Sequence, residues 1–130
     1  MTGLDTNILV RFFAQDDPSQ NRRADKLLQS LTPEEPGFVS LVLLAELVWV
    51  LRSQYRLNKA QLIECLERLL NSPELVVENH AAVTQSLRRF ATTNADLADC
   101  LIEGCSRLAG CGRTVTFDVS AAKTAGMILL

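Results

Sequence analysis

Apolar residues along this chain recur with two alternating periods. Gly3–Asp5 predicts a short strand running into a turn at Thr6–Asn7, after which Ile8, Leu9, Phe12 and Phe13 fall at the spacing of one helix face. Asp17-Pro18 marks a second helix start, with aspartate at the N-cap and proline at the first helical position. That helix is expected to continue through Ala24, Leu27, Leu28 and Leu31. Pro33, Pro36 and Gly37 break the chain ahead of a short strand at Phe38-Val39, and Ser40 is placed to cap a helix carrying Leu43, Leu44, Leu47 and Leu51. Asn58 opens a further amphipathic helix with Leu62, Ile63, Leu66, Leu69 and Leu70 on one face. Pro73 ends it, and Leu75–Val77 reads as a strand. Helices are predicted over Ala81–Ala91 and Asp96–Leu108, the second closed by Gly110 and Gly112. Thr114–Phe117 is β-branched and strand-like, and Met127–Leu130 is a last apolar run. Strands alternating with helices in this way predict an α/β protein, a three-layer α/β/α sandwich with a mostly parallel central sheet. With 130 residues and no repeat, low-complexity tract or linker, the expectation is one domain over residues 1–130.

Composition changes this picture little. The hydrophobic fraction is 48% and the charged fraction 22%, as in ordinary globular domains. The longest apolar run, Phe38–Leu51, is too short to span a bilayer and contains Glu46, and MTGLDTN has no secretory character. A cytoplasmic protein with no membrane partner is expected. Net charge is −2, with no basic run beyond Arg22–Arg23 and Arg88–Arg89, so charge alone argues against a nucleic-acid partner. Cys65, Cys100, Cys105 and Cys111 form no CxxC pair, and His80 is the only histidine. The cysteines are expected to be reduced and mostly buried, and His80 to have a surface or capping role.

Candidate chemistry begins at VSLVLLAELVWVL, residues 39–51, where Glu46 is the only charge between Pro36 and Leu51. An unpaired carboxylate in an apolar interior costs several kcal/mol or shifts its pKa until it is neutral. Glu46 therefore either pairs with Arg52 or Arg56, or serves a site that needs its charge. Other acids fall at predicted element ends. Asp5 ends the first strand, Asp118 follows Thr114–Phe117, and Asp99 lies near a helix start with Asp96 three residues earlier. Ligands of open parallel sheets bind beyond the carboxyl ends of the strands. Carboxylates gathered there repel unless a cation joins them, and Mg2+ or Mn2+ suits an all-oxygen site. Such a metal can activate water and hold a phosphodiester for in-line attack. Each acid also has a plainer reading. Asp5 and Asp96 would be helix N-caps, Asp99 a charge at a helix dipole, and Asp118 a loop residue.

The segments GLDTNILVRFFAQDDPSQNRRA, SLVLLAELVWVL and ADLADCLIEGCSRLAGCGRTVTFD, in this order, resemble PIN-domain ribonucleases, specifically the VapC-like toxins of toxin–antitoxin pairs. The resemblance extends over nearly the whole chain. It implies a Mg2+-dependent endoribonuclease (Mn2+ as substitute), with Asp5, Glu46, Asp99 and Asp118 as catalytic acids, of which Asp5, Asp99 and Asp118 contact the metal. Thr6 and Asn7 match a polar pair that orients Asp5, Thr116 matches a supporting hydroxyl, and Asp96 matches an acid present in many members. The partners it implies are an RNA substrate, a cognate small antitoxin and a second copy of the chain in a homodimer. The helices around Leu43–Leu51 and Leu62–Leu70 are expected to have apolar surface to spare for those protein contacts, and an antitoxin arginine to sit near Asp5 and Asp118. Arg11, Arg22, Arg23 and Lys26 either line the RNA path or belong to solvated helix faces. Two departures from the pattern are Val119, where a basic residue is common, and Thr124-Ala125 in place of Leu-Pro. A receiver domain would need an aspartate after the middle strand, yet none occurs between Asp25 and Asp96. A dehalogenase-like phosphatase would need an aspartate where Asn7 stands, and a catalytically silent interaction module would have no reason to keep all four acids.

Overall fold

Local capping chemistry positions most helices in the computed structural model, which describes residues 1–130. The chain divides into two compact units, Met1–Glu78 and Asn79–Leu130. The first runs β1 (Thr2–Gly3), α1 (Thr6–Ala14), α2 (Pro18–Ser30), β2 (Gly37–Val39), α3 (Leu41–Ser53), α4 (Lys59–Leu70) and β3 (Leu75–Val77). Asp17 accepts a hydrogen bond from the Gln20 N–H at 3.0 Å with Pro18 behind it, and Ser40 accepts from the Leu43 N–H at 3.1 Å. Asn58 and Gln61 form a reciprocal capping box at 2.9 and 2.8 Å. Each cap satisfies backbone donors that a helix start leaves unpaired and contributes about 1 kcal/mol. β2 is the central strand, parallel to β1 and to β3, with Gly3 opposite Phe38 and Val39 opposite Val77. β1 stops at Gly3, short of the predicted Asp5.

α1 packs on both α2 and α3. Leu9, Leu44, Leu47, Leu51 and Leu62 are among the most deeply buried side chains, and truncating any of them to alanine would cost about 2–5 kcal/mol. Leu66 and Leu69 are buried too, so within Leu43–Leu51 and Leu62–Leu70 the large apolar side chain left well exposed is Trp49, a narrower surplus than expected. The helical period explains the difference on α3. Leu43, Leu44, Leu47, Val48 and Leu51 turn inward, while Val42, Ala45, Glu46 and Trp49 form the outward stripe.

The second unit runs α5 (His80–Thr92), α6 (Leu97–Leu108), β4 (Val115–Thr116), α7 (Val119–Thr124) and β5 (Ile128–Leu129). α5 lies along α6, and the Ser86 hydroxyl donates to the Cys100 carbonyl at 2.9 Å. Gly104 allows this close approach, because a Cβ there would stand 2.6 Å from Ser86 Oγ. β4 and β5 pair in parallel, Thr116 opposite Leu129. Parallel neighbours need a crossover, and α7 supplies it. This helix was not predicted, and it corrects the reading of Asp118 as a loop residue: Asp118 is its N-cap. The predicted parallel pairing is present, divided into one three-stranded and one two-stranded ladder. The cysteines are free, but only Cys100 is buried, and Cys111 is exposed. No helix is long and apolar enough to cross a membrane.

Candidate active site

In the first unit, Asp5 occupies the N-cap position of α1 with extended backbone, yet its side chain accepts no capping hydrogen bond. The plainer reading of Asp5 as a cap thus lacks the bond that would make it one, and the exposed carboxylate is left for other chemistry. Its neighbour Thr6 is 4% exposed. The Thr6 hydroxyl donates to Glu46 Oε2 at 2.6 Å, tying the start of α1 to the middle of α3. This excludes the ion-pair reading of Glu46. It forms no ion pair with Arg52 or Arg56; its partner is a threonine hydroxyl, and it faces outward. The expectation that Thr6 orients Asp5 is corrected accordingly, since its hydroxyl is committed to Glu46.

Asn7 is exposed and lines a cleft of about 360 Å³ with Ile8, Arg11, Gln20, Arg23, Ala24 and Leu27. Arg11 is already engaged there. Its Nε donates to Gln20 Oε1 at 2.6 Å, and its Nη1 donates to Asp16 Oδ1 at 2.9 Å and to the Tyr55 hydroxyl at 3.2 Å. Tyr55 in turn donates to Asp16 Oδ2 at 2.6 Å, the main reason the Asp16 carboxyl is held below the ordinary carboxylate range. Nothing in the sequence pattern marks this cluster, which joins α1 and α2 to the segments that follow α1 and α3.

In the second unit, three of the predicted acids come together. Asp96 caps α6, its Oδ1 accepting from the Ala98 N–H at 3.1 Å. Asp118 caps α7, its Oδ1 accepting from Ser120 and Ala121 N–H groups at 2.7 and 3.2 Å. The Asp118 N–H itself donates to Thr116 Oγ1 at 3.0 Å, which fixes the start of the turn. In each capping bond only Oδ1 is used. Asp99, in the first turn of α6, is half-buried and engages no hydrogen-bond donor or cation. Burial pushes its carboxyl above the ordinary range, and the negative charges of Asp96 and then Asp118 push it further the same way.

The donor set is all carboxylate oxygen, the chemistry that hard divalent cations prefer. No three of the chain's His, Cys, Asp and Glu side chains converge as a ready-made cage. Mg2+ does not need one, because it binds through one or two carboxylates and keeps much of its water. Mutual repulsion around a half-buried aspartate with no cation beside it is the strain that such an ion relieves, so the residues present fit the metal.

A family model described as PIN domain matches residues 4–127. No curated protein matches the chain. PIN domains are three-layer α/β/α folds, and the seven helices and parallel strands seen here are of that class. They are in general nucleases, hydrolases acting on nucleic acids, and they typically bind divalent metals. With 124 of its 130 residues inside the match, the chain belongs to the PIN-domain family.

Proposed function

We propose that the chain is a Mg2+-dependent endoribonuclease that hydrolyses RNA phosphodiester bonds, and that it is the toxin of a toxin–antitoxin pair. The observation that carries the reading is Asp99, half-buried without a hydrogen-bond donor or cation and crowded by Asp96 and Asp118. The one family match, residues 4–127, takes in all but the first three residues of one unit and the last three of the other, and we take them as one nuclease domain over residues 1–130.

In this account Asp5, Asp99 and Asp118 would hold the metal. Mg2+, with Mn2+ as substitute, supplies a Lewis acid for the phosphodiester oxygens and a bound water of lowered pKa. Glu46, with Oε2 held by Thr6, keeps Oε1 to accept a proton from the attacking water. Asp96 fixes the helix start that carries Asp99. Thr116 holds the Asp118 backbone in place, and Asn7 offers a polar side chain beside Asp5. A cognate small antitoxin silences the enzyme by placing an arginine against the carboxylates, whose planar guanidinium matches their geometry and competes with the metal. A homodimer and a cytoplasmic location complete the proposal.

Incubating the purified protein with total RNA tests it. Discrete fragments are expected with Mg2+ and intact RNA with EDTA. RNA left intact under both conditions would refute the nuclease reading. Growth arrest on expression, relieved by the small protein encoded beside this chain, is expected if it is a toxin. Unimpaired growth would refute that part alone.

A further inference from the structure

We propose that the cavity between α1, α2, α4 and the start of β3 binds a small zwitterion with a branched alkyl group, the chemistry of an aliphatic α-amino acid. This site lies wholly within the first unit and is independent of the nuclease reading.

Parallel pairing fixes where it sits. Gly37 and Leu75, opposite each other at the first residues of β2 and β3, mark the amino edge of the three-stranded sheet. Asp5 follows the other, carboxyl end of β1. Beside the amino edge is a cavity of about 120 Å³, walled by Leu9, Phe12, Leu28, Leu31, Leu69 and Leu75. Leu9 and Leu69 are buried and the other four half-buried, so the space runs from the core to the surface. Gly37 lets two of these walls close on the sheet, because a Cβ there would stand 2.8 Å from Leu31 Cδ1 and 3.1 Å from Leu75 Cδ2.

The polar lining decides the ligand. Arg68, Ser72 and Glu74 border the same space. The Ser72 hydroxyl is committed, donating to the Arg68 carbonyl at 2.6 Å. The two charges are not. Arg68 forms no ion pair; its guanidinium lies over the Phe12 and Phe13 rings, 4.9 and 5.7 Å from their centroids. Glu74 is half-buried, and its carboxylate accepts no hydrogen bond. Opposite charges that share a cavity without pairing leave room for a ligand that meets both. An anion alone would face the Glu74 carboxylate, a cation alone the guanidinium, and a neutral apolar ligand would cover a carboxylate without satisfying it. A zwitterion avoids all three costs: its carboxylate pairs with Arg68 and its ammonium donates to Glu74. Volume sets the rest. An apolar cavity of about 150 Å³ holds benzene, so this smaller one suits an isopropyl or isobutyl group better than an aromatic ring.

The test is a titration of the full chain, labelled on its leucine methyl groups, with unlabelled L-leucine followed by NMR. Saturable shifts are expected at Leu9, Leu28, Leu31, Leu69 and Leu75. Glycine lacks the alkyl group, isovalerate the ammonium and isoamylamine the carboxylate, and each should bind at least about tenfold more weakly. Arg68→Gln and Glu74→Gln lie outside the buried core and should keep the wild-type circular dichroism, yet each should weaken leucine binding by about tenfold. Methyls that stay unmoved by leucine would overturn the proposal, as would leucine binding that is indifferent to both variants. Isovalerate binding as tightly as leucine would show a plain anion site and refute the zwitterion. If the same methyls shift with protein concentration and no ligand, a second copy of the chain fills the cavity and the proposal is wrong. RNA cleavage enters none of these outcomes, so the nuclease reading stands or falls separately.

Discussion

Glu46→Gln separates a glutamate kept for the fold from one kept for chemistry. The only bond to the Glu46 carboxylate is from Thr6 at 2.6 Å, and the residue faces outward. Glutamine has the same shape and retains a carbonyl oxygen that can accept from Thr6, so the bond survives as a neutral one. Charged hydrogen bonds contribute about 1.5–3 kcal/mol and neutral ones about 0.5–1.5. Solvent screening at an exposed group lowers the difference to about 0.5–1 kcal/mol. For a chain of this size the expected fall in Tm is about 1–5 °C. Cleavage should fall much further, by at least about tenfold, equivalent to roughly 1.4 kcal/mol of transition-state stabilisation. Thr6→Val gives the complementary case. It leaves the charge and removes the donor that aims it, so cleavage should fall by less than in Glu46→Gln. Melting curves and cleavage time courses on the two variants decide the matter. A Glu46→Gln protein that cleaves at the wild-type rate would refute the reasoning, because the charge would then have no role in the site.

Three further outcomes are expected. Added Mg2+ should raise the Tm of the wild type by mass action on the native state. Asp99→Asn should melt no lower than the wild type without metal, since one repelling charge is gone, and should lose most of that Mg2+ effect; equal stabilisation of both proteins would contradict the assignment. Gly104→Ala should destabilise by about 1–3 kcal/mol in urea melts despite a helix-propensity gain of about 1 kcal/mol, because the new Cβ would stand 2.6 Å from Ser86 Oγ. Adding Ser86→Ala should recover part of that loss, and a stabilising Gly104→Ala would show that the contact yields easily. Asp16 is held below the ordinary carboxylate range, so it binds protons less readily folded than unfolded; its contribution to stability is present above the unfolded pKa and lost as pH falls through the depressed folded value. Tyr55→Phe should move the Asp16 titration upward by NMR, and an unmoved titration would rule out the hydroxyl as the cause.

Signals that are local in the chain were the ones legible in the sequence. Asp17-Pro18, Ser40 and Asn58 each cap the helix they were expected to cap, because the cap bonds a backbone group only three residues away. Asp5, Asp99 and Asp118 were legible as acids at or near element ends and Glu46 as the lone charge of an apolar run, and the proximity of Asp96, Asp99 and Asp118 followed from two capped helix starts. Helix α7 escaped because VSAAKT is too short to show a period. In VSLVLLAELVWVL the buried face Leu43, Leu44, Leu47 and Leu51 was legible, but nearly every position is apolar, so nothing local marked Val42 and Trp49 as exposed. The Thr6–Glu46 bond spans 40 residues and depends on how α1 packs on α3, which no local pattern encodes. The same holds for Arg11, Asp16 and Tyr55.

The most direct measurement is a cleavage time course on an end-labelled single-stranded oligoribonucleotide, with wild type and Asp99→Asn compared in Mg2+ and in EDTA. Circular dichroism should first establish that the two proteins are equally folded. Cleavage by the wild type in Mg2+ only, reduced in Asp99→Asn by at least about tenfold, is the predicted result. Equal cleavage by the two proteins, or wild-type cleavage that persists in EDTA, would contradict a metal centre built on these carboxylates.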